Sequence, residues 1–295
     1  HSLEHIFDEQ LKQRQADDLY RSRTSHSGPQ NPELKVNGQA LLAFCSNDYL
    51  GLANHSQLIS AAKKACVDYG LGSGASHLVV GHTDLHYELE EALAKATQRP
   101  RALLFSSGYM ANMGVISSLL ERQDAIYQDR LNHASLLDGG LLSAAKFKRY
   151  RHNDSLDLKQ QIQNTQARRR LVATDAVFSM DGDSAALRKL SQVCDEQKAW
   201  LMIDDAHGFG VLGPNGEGSA IAQGLTVKEC PIYMATLGKA LGSYGAFVAG
   251  SDTLIESLIQ FSRNYIYTTA IPPSIAAASL AAVNLLTDEA WRQQH

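Results

Sequence analysis

Over roughly half its length the chain repeats one unit, a short and mostly apolar run, a polar or glycine-containing turn, then a stretch of helical character. Runs at 102–105, 125–128, 148–150, 171–174 and 201–203 read as strands, with helices expected at 110–120, 136–143, 155–167 and 185–198. Two further runs, 231–234 and 246–249, are short enough to be buried strands. Strands that are largely apolar on both faces and alternate with helices demand a mainly parallel sheet covered on both sides, the α/β class. Ligands of such sheets bind beyond the carboxyl ends of the strands. The residues that follow each strand are therefore where chemistry is to be sought.

Those residues are polar and varied. After 102–105 comes Ser106-Ser107-Gly108-Tyr109 at a helix start, and after 125–128 come Asp129 and Asn132-His133-Ala134-Ser135. Asp175, Ser179 and Asp181 follow 171–174, and Asp204, Asp205 and His207 follow 201–203. After 231–234 stands Thr236-Leu237-Gly238-Lys239-Ala240-Leu241-Gly242. A lysine drawn into a partly apolar site has its pKa lowered and becomes an amine nucleophile, the starting point of Schiff-base chemistry. This is no Walker A loop, because Tyr233 stands where glycine is needed and Ala240 follows the lysine.

Each residue also has an ordinary structural role open to it. Lys239 can be a surface lysine in a glycine-rich turn, Gly108 a helix cap, His133 a satisfied loop histidine and Asp204 a structural carboxylate. Taken together they ask for a ligand with a phosphate, a reactive carbonyl and an aromatic ring nitrogen: phosphate at the helix start, carbonyl at the lysine, ring nitrogen at an aspartate. Pyridoxal phosphate (PLP) has all three.

Composition removes other classes. With 295 residues, 44% hydrophobic and 20% charged, the chain can bury a full core. A net charge of -4 gives no global attraction to nucleic acid or an anionic membrane. Cys45, Cys66, Cys194 and Cys230 are widely spaced, indicating neither a metal site nor a disulfide framework, and reduced thiols fit a cytoplasmic location. The longest apolar tract, 275–286, is too short to span a bilayer, and no secretory signal is visible.

Ahead of the alternation, residues 2–20 read as an amphipathic helix, 21–37 as irregular polar chain and 41–44 as a short strand. Helices are expected at 57–69 and 84–97, flanking the glycine-rich Gly70-Leu71-Gly72-Ser73-Gly74-Ala75-Ser76.

The chain resembles the α-oxoamine synthase family of fold-type I PLP enzymes. The resemblance rests on Ser46-Asn47-Asp48-Tyr49-Leu50-Gly51, Ser106-Ser107-Gly108-Tyr109 and Leu131-Asn132-His133-Ala134-Ser135. It continues through Val177-Phe178-Ser179-Met180-Asp181-Gly182-Asp183, Met202-Ile203-Asp204-Asp205-Ala206-His207-Gly208 and Thr236-Leu237-Gly238-Lys239. It implies that Lys239 carries the cofactor as a Schiff base, His133 stacks on its ring, and Asp204 keeps the ring nitrogen protonated. His207 would meet the phenolic oxygen with Ser179 close by, and Gly108, Tyr109 and Thr236 would hold the phosphate. Arg21, Asn47 and His133 would meet substrate. Thr269 would reach the phosphate of a partner subunit, which implies a homodimer with shared sites.

The activity implied is a decarboxylative condensation of L-alanine with a pimeloyl thioester, carried by CoA or an acyl carrier protein. Glycine with an acetyl thioester is the alternative within the family, and a PLP-binding protein without turnover is the alternative outside it. Three divisions are expected: an N-terminal helix and arm at 1–52, a large PLP-binding domain at 53–287, and at 288–295 the start of a C-terminal small domain. Relatives continue for roughly another hundred residues, a domain-sized piece, which would supply that small domain and a carboxylate-binding arginine. His77 stands where many relatives carry arginine.

Overall fold

The computed structural model describes residues 3–286 and 289–295. The expected boundary between 287 and 288, and the first residue of the expected N-terminal helix, lie outside the described residues. The chain divides into two compact units, 1–46 and 47–295.

The first unit holds helix α1 (Leu3–Ala16) and a three-stranded antiparallel sheet of β1 (His26–Ser27), β2 (Glu33–Val36) and β3 (Gln39–Leu42). The helix stops short of the expected residue 20. Asp18 adopts φ 56°, and the amides of Asp18 and Leu19 bond back to the carbonyls of Gln15 and Arg14. That left-handed cap satisfies the orphaned carbonyls and turns the chain. The stretch read as irregular contains a hairpin. Val36 pairs with Gln39 across Asn37 and Gly38, at φ 49° and 84°, the positive angles that a tight two-residue turn needs.

The second unit begins with α2 (Ser56–Tyr69) and α3 (Asp84–Ala96). Then follow β4 (Arg101–Phe105), α4 (Gly108–Leu119), β5 (Ala125–Asp129), α5 (Ala134–Leu142), β6 (Lys146–Tyr150), α6 (Ser155–Gln163) and β7 (Arg170–Asp175). It continues with α7 (Leu187–Glu196), β8 (Trp200–Asp204), α8 (Ser219–Ala222), β9 (Ile232–Thr236), β10 (Ala246–Gly250), α9 (Asp252–Phe261), α10 (Arg263–Ile266), α11 (Pro273–Leu286) and α12 (Glu289–Gln294). Strands β4 to β10 form one seven-stranded sheet in the order β4-β10-β9-β8-β7-β5-β6. Pairing is parallel from β9 to β6, and β10 alone runs against both its neighbours.

Alternate strand residues feed two cores. Leu104, Tyr127, Val172, Leu201, Ile203 and Phe247 belong to one, with Leu89 and Leu93 of α3 and Ala276 and Ala282 of α11. Leu103, Ile126, Leu171, Met202 and Val248 belong to the other, with Val115 and Ile116 of α4 and Ile255 and Leu258 of α9. A period of two therefore serves two helical layers, the arrangement that continuously apolar strands require. The edge strand β6 is mostly exposed and carries Lys146, Lys148 and Arg149, charges that discourage edge-to-edge pairing.

Candidate active site

The strand ends of β7, β8 and β9, the start of α4 and the loop after β5 enclose a cavity of about 190 Å³. Eight of the residues singled out from the sequence line it: Gly108, Tyr109, His133, Ser179, Asp204, His207, Thr236 and Lys239. Asp175 and Ser135 line it as well. Asn47 is exposed, its Oδ1 3.2 Å from the Tyr49 hydroxyl oxygen. Thr269 is exposed and bridges Ser76, away from this lining. Arg21 is exposed in the coil after α1, in the first unit.

Lys239 owes its place to the connection between β9 and β10. Because β10 returns antiparallel, this loop stays at the end of the sheet where the parallel strands finish. It is closed by Leu237 N–H to Gly245 O (2.9 Å) and Ser243 N–H to Leu237 O (2.9 Å). Gly242 has φ 63°, and a Cβ there would collide with the backbone of Leu52 and Ala53. Only glycine fits both the angle and the approach. Burial lowers the Lys239 pKa, against the pull of the Asp204 and Asp175 carboxylates. Its Nζ lies 2.7 Å from His207 Nε2. Burial, then the nearby Lys239 and His133 charges, push His207 down to about 4, so its ring is neutral near pH 7.

The two adjacent aspartates have opposite surroundings. Asp205 is buried away from the cavity, accepting bonds from Ser219 N–H (2.6 Å), Ser219 Oγ (2.5 Å) and Tyr233 OH (2.8 Å). Burial pushes it up to about 6. Asp204 faces the cavity and accepts from Asn112 Nδ2 (2.7 Å) and Ala206 N–H (3.0 Å). Burial raises its pKa, opposed first by the Asn112 bond. Asp175 accepts the His133 amide at 2.6 Å, and burial followed by the Asp204 charge push it up to about 8. Two desolvated carboxyls side by side favour a bound cation, and a protonated ring nitrogen would be one.

At the other end of the cavity α4 presents its first turn. Ser107 caps it, its Oγ accepting from Met110 N–H at 3.2 Å, and the first-turn amides of Gly108 and Tyr109 lie where an anion is favoured. The Tyr109 ring stands edge-on to His133, with centroids 6.2 Å apart, and its hydroxyl is held by Asp138. Thr236 Oγ1 donates to Gly245 O at 2.9 Å and accepts from Gly238 N–H at 3.1 Å. To donate to a phosphate it must release Gly245. The donor set as a whole, with an amine, buried acids and a free helix start, matches the three functional groups of PLP.

Sequence reasoning missed Tyr49 and Asn112 and gave Asp175 no role. Tyr49 lay inside a motif quoted for the resemblance, and its hydroxyl is 2.6 Å from His207 Nδ1. Asn112 carries no motif signal. Its buried amide, donating to both Asp204 and Ser135 Oγ, is visible only once α4 is docked on β8.

The fold is that of fold-type I PLP-dependent transferases. A model of the aminotransferase class I and II family matches residues 39–293, and the chain belongs to that family. The 8-amino-7-oxononanoate synthase of Cellvibrio japonicus (strain Ueda107) is 59% identical over 285 residues, covering 97% of this chain and 72% of that protein. A serine palmitoyltransferase variant from S. paucimobilis, solved with a bound PLP–myriocin aldimine, superposes with a TM-score of 0.91 at 30% identity. That match covers 97% of this chain and 76% of the solved one. The 8-amino-7-oxononanoate synthase of Francisella tularensis gives a TM-score of 0.72 at 38% identity, covering 83% of this chain and 69% of the other.

Proposed function

We propose that the chain is the PLP-binding part of an 8-amino-7-oxononanoate synthase. It condenses L-alanine with a pimeloyl thioester, of CoA or an acyl carrier protein, releasing carbon dioxide and the thiol in an early step of biotin biosynthesis. The observation that carries this reading is the meeting of Lys239, Asp204, His133 and His207 in one cavity of a chain 59% identical to a synthase of that name.

When bound, PLP supplies a carbonyl carbon that an amine can attack and a pyridinium ring that accepts the electron pair left at the amino acid's Cα. Lys239 Nζ would be the amine that holds the group, and the same nitrogen would take the Cα proton of the amino acid. Its lowered pKa raises the share of free amine at neutral pH. Asp204 would hold a proton on the ring nitrogen, since a buried carboxylate is stabilised by a cation brought against it. Asn112 aims Asp204, and Asp175 anchors the backbone of His133, whose ring would stack on the cofactor. His207 would meet the phenolic oxygen, with Ser179 nearby. The amides of Gly108 and Tyr109, with Thr236, would hold the phosphate.

Arg21, Asn47 and His133 are assigned to substrate, and Thr269 to the phosphate of a second copy in a homodimer. A cytoplasmic location belongs to the same proposal. Among the described residues, no helix is long and apolar enough to cross a membrane.

The test is a comparison of kcat/KM on the full-length protein with alanine or glycine and pimeloyl or acetyl thioester. One extra methyl is worth about 1–3 kcal/mol in a pocket, so glycine is expected as a poor substrate. The extra pimeloyl methylenes contribute about 0.8 kcal/mol each when buried, so acyl preference exceeds amino acid preference. A preference for glycine with acetyl thioester would move the chain to the sister activity.

A further inference from the structure

We propose that Tyr49 is a positioning residue: by donating its hydroxyl proton to His207 Nδ1 it fixes the ring proton on Nε2, which holds Lys239 as the free amine. The inference deepens the function proposed above and rests on the reading of Lys239 as the nucleophilic amine.

A neutral histidine has one N–H to share between two nitrogens. Here both nitrogens have a single close partner, Tyr49 OH at 2.6 Å from Nδ1 and Lys239 Nζ at 2.7 Å from Nε2. The question is which way the chain of bonds runs, and Tyr49 decides it. Its one proton has two acceptors in reach, His207 Nδ1 at 2.6 Å and Asn47 Oδ1 at 3.2 Å. Nδ1 is the closer and the more basic of the two acceptors, and exposed Asn47 can bond water instead, so the proton is assigned to Nδ1. Nδ1 is then the acceptor and Nε2 carries the hydrogen. An Nε2–H pointing at Nζ is met only by a lone pair, which an ammonium lacks.

The remaining groups around Lys239 pull in known directions. Asp204 and Asp175 favour the ammonium, whereas His133 acts on His207 and favours a neutral ring. Burial keeps Tyr49 protonated and therefore a donor. The segment carrying Tyr49 is pinned beside the lysine loop, since Gly242 packs directly on the backbone of Leu52 and Ala53. The tyrosine thus offsets the two carboxylates, without touching the reacting atoms itself.

The experiment uses full-length protein labelled with ¹⁵N-histidine and stripped of PLP, with His207→Gln to assign the signal. The expected wild-type spectrum at neutral pH shows His207 protonated at Nε2 and bare at Nδ1. In Tyr49→Phe the proton moves toward Nδ1. The Lys239 pKa, read from the pH dependence of amine acylation followed by peptide mapping, rises by about 0.7 unit, a roughly fivefold change in protonation equilibrium and the size of one hydrogen bond. A packing role alone would change melting temperature and leave both readouts where they were. A wild-type His207 protonated at Nδ1 overturns the proposal without any variant, as does a Tyr49→Phe protein whose tautomer and Lys239 pKa are unmoved. Failure of the protein to take up PLP would sink the functional reading and leave the tautomer result standing.

Discussion

Exchanging Asp204 and Asp205 for asparagine separates stability from turnover. Asp205→Asn replaces a carboxylate that accepts from Ser219 N–H, Ser219 Oγ and Tyr233 OH, all within 2.8 Å. The new NH₂ fits only opposite Ser219 Oγ, whose hydroxyl must turn round to accept it, and the bonds from Ser219 N–H and Tyr233 OH go to a neutral oxygen in place of a charged one. Exchanging bonds to a buried charged group for neutral ones costs about 2–3 kcal/mol. Asp204→Asn meets a different neighbour. Asn112 Oδ1 is buried without a partner, so its amide can flip. The flipped oxygen then accepts from the new NH₂ and from the Ser135 hydroxyl, while Ala206 N–H keeps its acceptor. The turned Asn112 NH₂ is left in the buried place where its oxygen had no partner, a cost offset by removal of a desolvated carboxylate, so the expected net loss is about 1 kcal/mol. Turnover responds in reverse, because a neutral amide cannot hold the ring nitrogen protonated, and a loss of roughly 10²-fold or more in kcat follows. The assay is thermal melting, PLP absorbance and kcat measured on both variants. Asp205→Asn should lower the midpoint by about 3–5 °C for a chain of this size. Equal destabilisation by the two variants, or near-normal turnover in Asp204→Asn, would refute the reasoning.

Three further outcomes are expected. Borohydride reduction of the PLP-loaded protein followed by peptide mapping places the label on Lys239, and a label on another lysine removes it from its role. Gly242→Ala must adopt a positive φ, costing ~1–2 kcal/mol, and collides with Leu52 and Ala53 besides; it should melt earlier and hold PLP more weakly, and equilibrium dialysis of PLP checks this. Asp175, at about 8 in the folded chain, binds its proton more tightly there than in the unfolded chain, so the stability it contributes is full below its ordinary value near 4 and is lost as pH rises through about 8; melting of the PLP-free protein from pH 5 to 9 should show a decline that Asp175→Asn flattens.

The α/β architecture was legible because continuously apolar runs separated by helices leave few alternatives. Strand ends fell within two residues of expectation, since polar residues or glycine close the apolar runs, and those closing β7, β8 and β9 line the cavity. The N-terminal unit was read less well. Leu3, Ile6, Phe7 and Leu11 suggest an inward face, yet α1 has no buried residue. The hairpin turn at Asn37 and Gly38 is masked by the polar residues and two prolines that precede it, although Asn-Gly is the strongest short hairpin signal.

What the sequence could not convey is which way a side chain faces once the strand ends. Asp204 and Asp205 are adjacent and chemically identical, and successive residues at the end of β8 point to opposite sides. One therefore lines the cavity and the other locks Ser219 and Tyr233. The antiparallel return of β10 was equally silent, because 246–249 is apolar whichever way it runs. Yet that reversal places Lys239, since a parallel continuation would need a crossover that carries the chain away from the strand ends. A hairpin keeps the loop at the carboxyl edge, and Gly242 then lets it close against the segment that carries Tyr49. The lysine, the histidine it faces and the tyrosine behind that histidine come from three distant parts of the chain, joined by two bonds of 2.7 and 2.6 Å. Each was visible in the sequence as a residue, and only the direction of one strand makes them a chain of proton donors and acceptors.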